Sequence, residues 1–165
     1  MAEQSFSLPD GLTKRERYEL FLKDYTTLID GETDVVSTLA NTAAALHEAF
    51  GFFWVGFYLV KDAEWLHLGP FQGSVACTRI KRGRGVCGTA WAEARTLVVP
   101  DVDAFPGHIA CSSLSRSEIV VPMMHEGQVE GVLDIDSDRL SDFDEDDRCG
   151  LEAVVSALMR TLFNN

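Results

Sequence analysis

Apolar residues recur at helical spacing near both ends of the chain and in short alternating runs between them. Tyr18, Phe21, Leu22, Tyr25 and Leu28 form one stripe and predict a helix over 14–29, broken at Asp30-Gly31. Val36, Leu39, Ala43, Leu46 and Phe50 predict a second over about 33–50, stopped by Gly51. The period then shortens. Runs at 52–60 and 65–71, split by Lys61-Asp62-Ala63-Glu64, read as a β-hairpin. A short strand follows at 78–81, then a glycine-rich loop, a short helix over about 88–94 and a brief strand at 97–99. Residues 101–117 are irregular, and a loop of that length in a small domain is more often functional than incidental. Runs at 118–125 and 128–136 meet at Glu126-Gly127, a hairpin turn signal. Ser141 to Asp144 resembles a helix start, and Leu151, Val154, Val155, Leu158 and Leu162 line one face of the last helix. Terminal helices around central hairpins predict an α/β fold of the α+β kind. Its central antiparallel sheet carries the N- and C-terminal helices on one face, and loops close a ligand pocket on the other.

At 165 residues, 46% hydrophobic and 24% charged, the chain suits one folded domain. The polar stretch 1–13 reads as a flexible arm, leaving 14–165 as the domain. A net charge of −12 argues against nucleic acid or an anionic membrane as partner. No apolar run is long enough to span a bilayer and no signal peptide is evident, so a cytoplasmic protein is expected. In that reducing compartment four cysteines are not a disulfide framework; they point to metal, redox chemistry or packing. No C-x-x-C or H-x-x-x-H pair occurs, which disfavours structural zinc. Gly83-x-Gly85-x-x-Gly88 matches a dinucleotide loop in form, with Asp103 in place for a ribose. However, the strand before it is short and charged, and no βαβ series follows.

Three groups of side chains carry chemistry. Asp134 and Asp136 are two apart on one strand and share a face, and Glu118 opens the neighbouring strand. Three adjacent acids in an apolar setting should push at least one pKa upward, leaving a proton to give near neutrality. Trp54 and Tyr58 share a face and could wall a pocket or simply be core. Cys87 precedes a short helix near Arg82 and Arg84, which by itself nominates it as the most thiolate-like cysteine. Cys111 lies in the irregular loop. Cys149, on the last helix, reads as packing. His108, three residues before Cys111, reads as a loop brace or as half of a Cys–His couple.

Several segments resemble a GAF domain: Trp54-Val55-Gly56-Phe57-Tyr58, Gly85-Val86-Cys87-Gly88, the hairpin from Ile119 to Asp136, and Phe143-Asp144-Glu145-Asp146. A narrower set runs from about residue 20 onward. It comprises Leu68-Gly69-Pro70-Phe71-Gln72-Gly73, Ala76-Cys77, Gly83 to Gly88, Gly107-His108-Ile109-Ala110-Cys111 and Leu133-Asp134-Ile135-Asp136, and it is similar to the free methionine-(R)-sulfoxide reductases. That resemblance implies a thiol-dependent reductase with no cofactor and no metal, recycled by thioredoxin, and a possible homodimer. It implies Cys111 as nucleophile, Cys77 as resolving thiol and Cys87 as accessory, with Glu118, Asp134 and Asp136 in substrate binding and catalysis. The substrate carboxylate would then need donors in the loop, for which the backbone N–H groups of Ile109, Ala110 and Cys111 are candidates, and Trp54 and Tyr58 would face the methyl sulfoxide. The competing reading is a non-enzymatic GAF module that senses a small ligand.

Overall fold

The computed structural model describes residues 4–108 and 111–163; Ile109 and Ala110 lie outside them. Helices α1 (Lys14–Ile29) and α2 (Val35–Phe50) come first. Strands β1 (Trp54–Val60), β2 (Trp65–Gln72) and β3 (Arg79–Lys81) follow, then helix α3 (Gly85–Glu93), β4 (Leu97–Val99) and a 3-10 turn at Val102–Ala104. The chain closes with β5 (Ser117–His125), β6 (Gln128–Ser137) and α4 (Glu145–Phe163). The strands form one antiparallel sheet in the order β3-β2-β1-β6-β5-β4.

Local chemistry sets the ends of these elements. Thr13 and Glu16 form a capping box that starts α1. Asp34 caps α2, and Gly51 ends it in the left-handed conformation at φ 65°. Asp144 accepts the N–H groups of Asp146 and Asp147 at the start of α4. The β5–β6 turn puts Glu126 at φ 48° and Gly127 at φ 77°, the pair of positive values that a tight hairpin needs.

Strand alternation divides the core in two. Val55, Phe57, Ile119, Leu133 and Ile135 face α1, α2 and α4 in the larger core. Trp54, Tyr58, Val120 and Val132 face the other way, toward α3 and the loops. Where α4 crosses α1, Gly150 meets the Tyr18 ring directly. Tyr18 also donates its hydroxyl to buried Asp147 at 2.7 Å, and Lys14 reaches the same carboxylate at 2.6 Å. This satisfies an acid that would otherwise be costly to bury.

The segment before α1, expected to be a flexible arm, is docked from residue 5 onward. Phe6 is buried against Phe21, and the hydroxyls of Ser5 and Ser7 donate to Glu48. Burial of one aromatic ring is enough to hold a short polar segment in place. Helix α3 starts at Gly85, three residues earlier than the glycine spacing suggests, and no side chain caps it. No helix among the described residues is long and apolar enough to cross a membrane.

Candidate active site

The face opposite the terminal helices carries the chemistry. Across the sheet Asp136 lies opposite Trp54 on β1 and Glu118 on β5, while Asp134 lies opposite Gly56 and Val120. This register places Trp54, Tyr58, Glu118, Asp134 and Asp136 on one surface. Gly56 makes room in the middle of it. A Cβ there would strike Phe71 and the Trp54 indole, so this glycine lets the indole lie flat beside Phe71, with ring centroids 5.3 Å apart. The Trp54 indole N–H donates to the Ser74 carbonyl at 2.9 Å, and the Tyr58 hydroxyl donates to the Cys77 carbonyl at 2.9 Å. Both aromatics are therefore pocket walls tied to the loop that carries Cys77.

Cys77 and Cys111 form a disulfide with Cα atoms 5.5 Å apart, joining the β2–β3 loop to the loop before β5. Under it lies a cavity of about 50 Å³. Trp54, Tyr58, Cys87, Cys111 and the three acids line it. It also takes in His108, Ser112 and Ser115, which the sequence does not single out as wall residues. Ordinary ligand pockets measure roughly 300–1,000 Å³, so in the disulfide form this chamber is nearly shut. A wider groove between α4 and β5 brings Arg95, His125, Arg148 and Glu152 together, and no cysteine lines it.

The electrostatics of the chamber are one-sided. Glu118 and Asp134 are each 6% exposed, and an Asp134 carboxylate oxygen has no hydrogen-bond partner among the described residues. Burial, followed by the charge of Asp134, pushes the Glu118 and Asp136 carboxyls well above their usual range. Burial raises Asp134 as well, against contacts with Glu118, Cys87 and Asp136 and the charge of nearby His108, which favour its ionised form. A buried cluster of like charge with one unsatisfied oxygen fits a ligand that brings a cation.

Cys87 differs from the sequence expectation. It is 3% exposed, with its sulfur 3.9 Å from Glu118. Burial first, then the charges of Asp134, Glu118 and Asp136, push its thiol well above the ordinary range. Desolvation and three acids outweigh one helix N-terminus. Arg82 does not assist, since its guanidinium lies 5.2 Å over the Trp91 ring. Cys149, expected to pack within the last helix, is exposed. Cys87, Glu118 and Asp134 place ligand-type atoms within 4.8 Å of one another, the one such group among the described residues. Ile109 and Ala110, the remaining expected contacts, lie outside the described residues.

The GAF domain model matches residues 34–162. The free methionine-R-sulfoxide reductase of Escherichia coli is 47% identical over 152 residues, covering 92% of each chain. The chain belongs to the free methionine-R-sulfoxide reductase family of GAF domains. GAF domain-containing protein A of Dictyostelium discoideum is 56% identical over 146 residues, covering 88% of this chain and 92% of that protein. Among solved structures, the free methionine-R-sulfoxide reductase of Neisseria meningitidis in complex with its substrate superposes with a TM-score of 0.90 at 53% identity. It covers 94% of this chain and 93% of the other. Membership in this reductase family makes the chain an oxidoreductase acting on a sulfoxide.

Proposed function

We propose that this reductase converts free L-methionine-(R)-sulfoxide to L-methionine, with Cys111 as nucleophile and Cys77 as resolving thiol. The observation that carries the reading is the cavity itself: Cys111, two aromatic walls, buried Glu118 and Asp134 and half-buried Asp136 border one space. Asp134 holds the substrate ammonium, whose charge draws the carboxyl into its ionised form and supplies the missing partner of its buried oxygen. Backbone N–H groups of the 109–111 loop hold the substrate carboxylate. Trp54 and Tyr58 enclose the methyl sulfoxide end.

In the reaction the Cys111 thiol attacks the sulfoxide sulfur, and the sulfoxide oxygen takes a proton from the cluster of Glu118, Asp134 and Asp136, whose carboxyls burial pushes up. The oxygen passes to Cys111 as a sulfenic acid, and methionine leaves. The Cys77 thiol then displaces water, which forms the disulfide. Overall, two thiols are oxidised, one sulfoxide is reduced and one water is released. Two thiols of thioredoxin restore the pair by exchange, a cycle suited to the reducing cytoplasm. The narrow cavity of the disulfide form supports an order of events in which reduction precedes substrate entry.

Both charged ends of the amino acid are held, so a peptide-bound residue would leave buried groups unpaired. The test is turnover with dithiothreitol on racemic free and N-acetylated methionine sulfoxide. Half of the free substrate should be consumed and the acetylated form left untouched; equal rates on both would refute the reading. A ligand-sensing role would give binding of methionine sulfoxide with no methionine formed.

A further inference from the structure

The two segments joined by the disulfide differ from the rest of this acidic chain. From Trp65 to Ala92, and again from Ala104 to Ser117, there is no Asp or Glu, although the protein carries 26 of them. Five of its fourteen Lys and Arg residues sit in those stretches: Arg79, Lys81, Arg82, Arg84 and Arg116. All five are exposed, and none pairs with a carboxylate among the described residues. Apolar side chains stand out beside them. Val75, two residues before Cys77, is 89% exposed, and Leu114, three after Cys111, is 64% exposed. Val75 lines the cavity under the disulfide, and so do Ile80, Gly85 and Ser115, the chain neighbours of Lys81, of Arg84 and of Leu114 and Arg116, so these residues border one cavity.

We propose that Val75 and Leu114, rimmed by Lys81, Arg84 and Arg116, form the docking surface for the reductant, and that this reductant is an acidic dithiol protein with an apolar patch around its reactive cysteine. The inference rests on the disulfide cycle proposed above. Cations left unpaired on a chain of net charge −12 favour an acidic partner at this place and disfavour it over the remaining surface. The exposed apolar pair supplies the desolvated contact at the centre of such a patch. The step is a balanced exchange. A partner thiolate breaks the Cys77–Cys111 bond and forms a mixed disulfide. The partner's second thiol then displaces it, leaving the partner oxidised and two thiols on this chain.

The experiment needs no sulfoxide, so it stands apart from the activity assay. The oxidised protein is mixed with an acidic reduced thioredoxin, and separately with dithiothreitol, and disulfide reduction is followed by stopped flow. Leu114→Glu combined with Lys81→Glu and Arg84→Glu should slow reduction by thioredoxin at least tenfold and leave the dithiothreitol rate unchanged. The wild-type thioredoxin rate should also fall several-fold between 0.05 and 0.3 M salt, while the dithiothreitol rate does not. Equal slowing with both reductants, an unchanged thioredoxin rate, or a salt-independent wild-type rate would overturn the proposal. If the oxidised protein is reduced as expected but no methionine forms in the activity assay, the substrate reading fails and the docking surface stands.

Discussion

Replacing Glu118 with glutamine tests the electrostatics of the chamber through stability. Ligating atoms of Glu118 and Asp134 lie within 4.8 Å. Two full charges at that separation repel by about 3.5 kcal/mol at an effective dielectric of about 20. The cluster avoids most of this by keeping protons, and the raised Glu118, Asp134 and Asp136 carboxyls reflect that. Their folded pKa values lie above the unfolded ones, so the native state binds more protons than the unfolded chain once pH exceeds the ordinary carboxylate range. Their contribution to stability is full below that range and is lost as pH rises through the raised values. Glu118→Gln removes one of these protons from the balance. In the reduced, ligand-free protein the variant, relative to wild type, should be better off at pH 8 than at pH 5 by about 1–2 kcal/mol, or roughly 3–6 °C in Tm. Carboxylates elsewhere are common to both proteins and cancel in the difference. The assay is thermal unfolding at pH 5 and pH 8, repeated with methionine. The ammonium of methionine should stabilise the wild type more than the variant. A variant no better off at pH 8 than at pH 5, relative to wild type, would refute the reasoning.

Cys111→Ser should abolish even one methionine per protein in a single-turnover experiment. Cys77→Ser should release the first methionine at a near-normal rate and then stall under thioredoxin, and a full first turnover in Cys111→Ser would reassign the nucleophile. Cys87 should react far more slowly with iodoacetamide than exposed Cys149 at pH 8 in the reduced protein, because burial and acids keep its thiol protonated; peptide mapping reads the two rates. Gly150→Ala should cost about 1–3 kcal/mol despite the better helix propensity of alanine, because its Cβ would enter the Tyr18 ring. Thermal unfolding reads that loss, and an unchanged Tm would mean that α1 and α4 can move apart freely.

The hairpin that carries the acids was legible because its information is local. Alternation along 118–136 and the Glu126-Gly127 turn set the register, and the register alone puts Glu118 opposite Asp136. The face shared by Trp54 and Tyr58 was legible for the same reason. Their anchors, the carbonyls of Ser74 and Cys77, were not, because any backbone offers a carbonyl and only tertiary placement selects these two. Cys87 misled for a related cause. Its helix N-terminus and nearby arginines are visible in sequence, whereas the burial that outweighs them arises from contact between α3 and two distant strands. Gly56 carried its reason in a neighbour: the space it leaves is occupied by an indole two residues away and by Phe71 on the next strand.

The bridge between Cys77 and Cys111 spans a sequence separation of 34 that takes in β3, α3 and β4. Closing a loop of that length removes about 4 kcal/mol worth of freedom from the unfolded chain. The disulfide form is therefore the harder one to unfold by heat or to open to proteolysis. In the proposed cycle each turnover opens the bridge and gives up that resistance to unfolding, so shortage of reductant would preserve the protein even as it halts its work.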